Sequence, residues 1–326
     1  EGGYLKLDDV QVEQNGLYTC YAENVFYDDE TGNAQDYLIL DVQFSPDIAT
    51  DLTGDIDEVN GYVIEGSNFT VECVIMNANP EVESISWSDS ADNVVSTEPL
   101  VIISDVGKEQ HGTYTCEARN TFWDATQGIT KIDVFIDVQY SPSVTVTDET
   151  GFNVVEGNSY FAVCEVDSNP DSVITWLYPD GTETNGHQLE ITNTNRNDAG
   201  TYTCTAVTTF WDGSSATDSG TMDLNVEYEG IVTLVGSEKE IDESESVNFT
   251  CTVSDSNPDP FKLELLLDGQ VIEHFKDDQG ITHLEYTISD STDEDAGSYI
   301  CIATQRFWND AENDVTSNVH HLTVNV

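Results

Sequence analysis

The sequence predicts an all-β chain of small sandwich domains set end to end, with the first one incomplete. Three observations carry this expectation. Apolar and polar residues alternate in short runs between turn signals, as in half-buried strands. No long helical pattern occurs. One cysteine-proximal motif returns four times, as QNGLYTC, QHGTYTC, DAGTYTC and DAGSYIC, ending at Cys20, Cys116, Cys204 and Cys301. Its tyrosines, Tyr18, Tyr114, Tyr202 and Tyr299, fall 96, 88 and 97 residues apart. A period of that length is one small domain per repeat.

The first unit opens on GYLKLDDV, which reads as a strand, and contains Cys20 but no partner cysteine. The expected divisions are residues 1–44 for this half-domain, then 45–140, 141–228 and 229–326. The joints LDVQFSPD, IDVQYSPS and LNVEYEGI pass from one strand almost directly into the next. Proline fixes φ in the first two and no Gly/Ser tether occurs, so a stiff rod is expected. The incomplete first unit reads as part of a longer array, or as an open domain completed by a neighbour's strands.

Each repeat also carries an aromatic hairpin directly after its cysteine: CYAENVFYDDETG, CEARNTFWDATQG, CTAVTTFWDGSSA and CIATQRFWNDAEN. Phe stands six residues on, an aromatic seven and Asp or Asn eight. Since side chains alternate along a strand, a cysteine that points inward takes Ala118 and Phe122 with it, if the strand runs that far. Tyr27, Trp123, Trp211 and Trp308 then point outward. They could lie on their own sheet, wedge against the adjacent domain, anchor another chain, or form a platform for glycans.

The 326 residues hold 63 acidic against 9 basic side chains, for a formal charge of −54. Nothing could neutralise phosphates, so nucleic-acid binding is excluded, and an anionic membrane surface would repel the chain. The charge fits a salty medium, or a taste for cations and basic partners. No run of 18 apolar residues spans a membrane within this segment, and no signal peptide is present.

Neighbouring cysteines pair naturally as Cys73–Cys116, Cys164–Cys204 and Cys251–Cys301, which leaves Cys20 unpaired in this segment. Each closed loop would stabilise its domain by roughly 4 kcal/mol in the chain-entropy model. Disulfides imply an oxidising, extracellular setting, secreted or as the ectodomain of a longer protein. The sequons Asn68-Phe-Thr and Asn248-Phe-Thr fit that setting.

These repeats resemble tandem immunoglobulin domains of the intermediate type found in adhesion and matrix proteins, over the whole chain. Asp-x-Gly-x-Tyr-x-Cys at 198–204 and 295–301 matches that family's tyrosine corner, in which the hydroxyl bonds back to the chain. Gln14 and Gln110 replace the Asp in the first two copies. That leaves the fold but questions the corner ion pair. The resemblance also makes Trp87 and Trp176 the tryptophans buried on the disulfide. Leu265 stands there in the last repeat, so its core should be repacked, with Phe261 as the candidate filler.

YDDETG (27–32) and DSTDEDAG (290–297) offer carboxylates to calcium without the spacing of a known calcium loop, so weak, non-specific binding is expected and no cofactor. No HExxH, GxSxG or phosphate loop appears, and the adjacent His320 and His321 face opposite ways on a strand, so no enzyme is expected. The resulting expectation is a glycosylated extracellular protein of adhesion or assembly. Its partner would be protein, foremost copies of itself in filaments or cell contacts. The alternative is a cell-surface receptor ectodomain for immune or self recognition of a different ligand.

Overall fold

The computed structural model describes residues 3–325. They cluster into two units. The first holds residues 3–141 with the short pieces 168–170 and 209–215; the second holds 142–167, 171–208 and 216–325.

The first unit begins with an antiparallel hairpin, Gly16–Val25 with Thr31–Leu40, in which Cys20 stands opposite Asp36. Residues 3–7 are not the strand that GYLKLDDV led us to expect. A strand needs a ladder partner for its N–H and C=O groups, and none pairs with this segment among the described residues. The hairpin's Leu17, Leu38 and Ile39 are exposed, as is the free Cys20.

The second repeat is a two-sheet sandwich. Phe44–Gly54, Phe69–Asn79 and Leu100–Ile103 make one sheet. Ser84–Ser88, Gly112–Thr121 and Gln127–Thr147 carry the other, edged by Val94–Ser96 and by Tyr62–Ile64, which runs parallel to Gln127–Thr147. Cys73 and Cys116 bridge the sheets. Trp87 sits opposite Cys116, fully buried, and donates its indole N–H to Pro99 O at 3.0 Å.

The second unit contains two sandwiches of the same plan. Trp176 faces Cys204 in the first, across the Cys164–Cys204 bridge. In the second, Cys251 is bonded to Cys301 and Leu265 occupies the tryptophan's register opposite Cys301. The expected filler is corrected here. Phe261 lies apart from that core, beneath the Arg306 guanidinium (4.5 Å to the ring centre) and Lys276. Phe249, two residues before Cys251, is buried in the same core as Leu265 and stacks on Tyr299 with ring centres 4.0 Å apart. The corresponding residues of the other sandwiches are the smaller Val71 and Ala162. This core thus carries a large ring where the other two carry small side chains.

All four tyrosine corners form. Tyr18, Tyr114, Tyr202 and Tyr299 donate to the carbonyls of Gln14, Gln110, Asp198 and Asp295 at 2.7–3.2 Å. Gln14 and Gln110 accept the backbone N–H of Gln11 and Gly107, just as Asp198 and Asp295 accept those of Asn195 and Thr292. An amide oxygen serves as well as a carboxylate there, because only an acceptor is needed.

Candidate functional site: the aromatic hairpin tips

The Phe–aromatic–Asp motif first of all builds a turn. The N–H of Phe26, Phe122, Phe210 and Phe307 donates to the carbonyl four residues on, at 2.8–2.9 Å. Their own carbonyls accept from the residue three on. That last residue has a positive φ in every copy: Asp29, Ala125, Gly213 and Asp310. The Asp or Asn between holds the turn by accepting the N–H two residues later. Asp28, Asp124, Asp212 and Asn309 bond Glu30, Thr126, Ser214 and Ala311. The Thr126 and Ser214 hydrogen bonds hold the Asp124 and Asp212 carboxyls below the usual carboxylate range. The Phe packs inward at three tips, buried at 210 and 307 and half-buried at 122, while Phe26 is exposed. Gly128 is required opposite it, since a Cβ there would come 2.7 Å from the Phe122 ring.

The aromatic at the tip points outward. Tyr27 is 101% exposed, Trp123 86%, Trp211 39% and Trp308 41%. Its backbone, not its ring, is what the neighbouring segment grips. The main-chain N–H of Trp123 donates to Gln43 Oε1 at 2.8 Å, that of Trp211 to Gln139 Oε1 at 2.9 Å, and that of Trp308 to Glu227 Oε2 at 2.8 Å. Each acceptor directly follows a valine, Val42, Val138 or Val226, in VQF, VQY and VEY.

A second bond set repeats beside the first. Asn79 Nδ2 donates to Asp41 Oδ1 and Val42 O, Asn169 Nδ2 to Asp137 Oδ1 and Val138 O, and Asn257 Nδ2 to Asn225 Oδ1 and Val226 O, all at 2.6–2.8 Å. Two further cations lie over the joint aromatics: Lys108 Nζ is 3.6 Å from the Tyr140 ring centre and Arg196 4.0 Å from that of Tyr228. Arg196 also pairs with Glu156 and Asp255. The sequence reading saw the aromatic tips and missed this clamp. Its signal was available as Val-Gln/Glu-aromatic and Asn-Pro, each written three times.

Glu227 is buried and its carboxyl is pushed above the usual range by that burial, against which the Trp308 N–H works. Among the described residues, no group of three or more His, Cys, Asp or Glu is placed to hold a metal ion. Asp295 of the 290–297 run is occupied at its turn, and Asp28 of the 27–32 run caps its hairpin. Among the described residues, no helix is long and apolar enough to cross a membrane. Asn68 and Asn248 are both exposed.

A family model described as "Immunoglobulin domain" matches residues 55–120, 141–207 and 231–304. Human hemicentin-1 is 26% identical over 348 aligned residues, covering 97% of this chain and 6% of that protein. Neuroglian of Drosophila melanogaster is 24% identical, covering 94% of this chain and 23% of that protein. The chain therefore spans less than a quarter of the length of these curated relatives. Among solved structures, an I-band fragment of titin, I67–I69, is 18% identical with a TM-score of 0.46, covering 87% of this chain and 100% of that one.

Proposed function

The chain belongs to the immunoglobulin-domain family, and on that premise we propose that it is an extracellular, non-enzymatic protein of adhesion or assembly, which contacts copies of itself through its hairpin tips. One observation carries the reading: the tip aromatics Tyr27 and Trp123 are almost fully exposed, at 101% and 86%. The clamp supports it. The clamp hydrogen bonds use only the backbone at the tip, and beside its clamp the Trp123 ring is left 86% exposed. Exposed Trp and Tyr supply large contact area and favour interface hot spots. The three disulfides fit an oxidising exterior. Weak divalent binding belongs to the same reading, since 63 carboxylic side chains on each copy must approach one another.

Sedimentation velocity over a range of concentrations, in seawater-like salt with calcium and then with chelator, tests it. Concentration-dependent growth is expected. Trp123→Ala should weaken association at least tenfold, as removal of a hot spot of about 2 kcal/mol does. A monomer at every concentration and in both buffers would overturn self-association.

A further inference from the structure

We propose that Asn68 carries an N-linked glycan whose first N-acetylglucosamine lies against the indole of Trp211. In the second unit, Trp308 and Asn309 wall a cavity of 300 Å³ together with Asn158, Ser159 and Phe161. Trp308 stands seven residues after Cys301, and Ser159 five before Cys164. The Glu227–Trp308 and Asn257–Val226 bonds fix that placement.

The first unit contains the same clamp, made by Gln139 with Trp211 and by Asn169 with Val138. Trp211 stands seven residues after Cys204, and the residue five before Cys73 is Asn68. The position that faces the indole across the cavity is therefore Ser159 in one joint and a sequon asparagine in the other. Asn68 is oriented for the role. Its Oδ1 accepts the Asp105 N–H at 3.0 Å, and its Nδ2 has no hydrogen-bond partner among the described residues. Trp211 keeps 39% of its surface open.

The chemistry suits the place. The Asn68 carboxamide nitrogen attacks the anomeric carbon of a polyprenyl-diphosphate-linked oligosaccharide. A C–N bond forms, the C–O bond to the diphosphate breaks, and the diphosphate and one proton leave. The sugar is neutral, so it meets no repulsion from this acidic chain. Its apolar ring face suits an indole, and its hydroxyls suit water beyond. The inference shares with the proposed function only the extracellular setting. It leaves Trp123, rather than Trp211, as the free ring for other chains.

The test uses the full chain secreted from a eukaryotic host with isotope-labelled N-acetylglucosamine, read as monomer at low concentration. Asn248, three residues before Cys251, is the internal control, since among the described residues no hairpin tip is clamped to its repeat. Glycopeptide masses should show Asn68 occupied. The proton resonances of its first sugar should lie upfield of the Asn248 sugar's, through the indole ring current. That difference should vanish in Trp211→Ala, shrink in Trp211→Phe, and survive in Trp123→Ala. Native trimming by an endoglycosidase should be several-fold slower at Asn68 than at Asn248, and equal in Trp211→Ala. An unmodified Asn68, or sugar resonances indifferent to both Trp211 variants, overturns the proposal. Trp211→Phe guards against a loosened hairpin, because it keeps a ring at the tip. A monomeric chain in sedimentation would sink self-association and leave this outcome readable.

Discussion

The joint around Phe44 and the joint around Tyr228 are closed by the same positions with different atoms. At the first, Asn120 is fully buried and donates to Phe44 O at 2.9 Å and Pro80 O at 2.8 Å. Its Oδ1 is buried with no partner. At the second, Gln305 donates to Tyr228 O and Pro258 O, and its Oε1 accepts the Gly230 N–H at 2.9 Å. The residue corresponding to Gly230 is Pro46, which has no N–H to give. The clamp differs too, with the neutral Gln43 at the first joint and the ionisable Glu227 at the second. The position fixes the geometry of a joint, and the group placed there sets its stability and its response to pH.

The largest expected effect is at the better-satisfied joint. Gln305→Leu should cost roughly 3 kcal/mol, because two buried carbonyls and one N–H lose their partner, each worth about 1 kcal/mol. Asn120→Leu should cost roughly 2 kcal/mol by the same count. Native-state hydrogen exchange of the amides in Ile231–Gly236 and Phe44–Gly54 reads the two separately. Equal costs would break the comparison. A smaller effect sharpens it: Pro46→Ala combined with Asn120→Gln rebuilds the Gly230–Gln305 bond at the first joint. The double variant should exceed the sum of the single ones by about 1 kcal/mol in a thermodynamic cycle. Purely additive variants would show that the unpaired oxygen is not the difference.

The smallest effect concerns the clamp. Burial raises the folded-state pKa of Glu227, so the native state holds that proton more tightly than the unfolded one does. Its contribution to stability is present in full below the ordinary carboxylate pKa and declines as pH rises through the raised value. Glu227→Gln should remove that decline, and the variant should gain on the parent as pH goes from about 4 to about 7. Thermal unfolding followed at both pH values gives the difference. A parent and variant that track each other would mean that the carboxylate behaves as Gln139 does.

Much of the fold was legible in the sequence because its signals are short-range. Tyr-x-Cys fixes a corner with a carbonyl four residues back, and Trp87 and Trp176 reach their cysteines through strand register. The hairpin tips were legible as outward aromatics, although the strands end at Thr121, Thr209 and Arg306, so the turn rather than strand alternation sets their direction. Phe261 misled because nearness in sequence to Leu265 stood in for nearness in space. Alternation back from Cys251 would have pointed to Phe249. The clamp escaped because its acceptors lie 72 to 81 residues from their donors. Those donors are backbone N–H groups, which leave no residue type to recognise. Ala125 likewise gives no sign of its φ of 66°.

The clamp has a consequence for how such a chain can grow. Each of the two middle repeats carries the gripping carboxamide or carboxylate at its exit, and an Asn-Pro turn with a gripped backbone amide at its entry. A duplicated copy inserted between two others would therefore meet compatible surfaces on both sides, with no new contact to be invented. Because the gripped atom is main-chain, the clamp's hydrogen bonds survive a change of tip residue, Trp to Tyr or beyond. Lengthening and diversification are thus uncoupled. Unequal recombination changes the number of units, while point substitution at the tips changes what each unit touches.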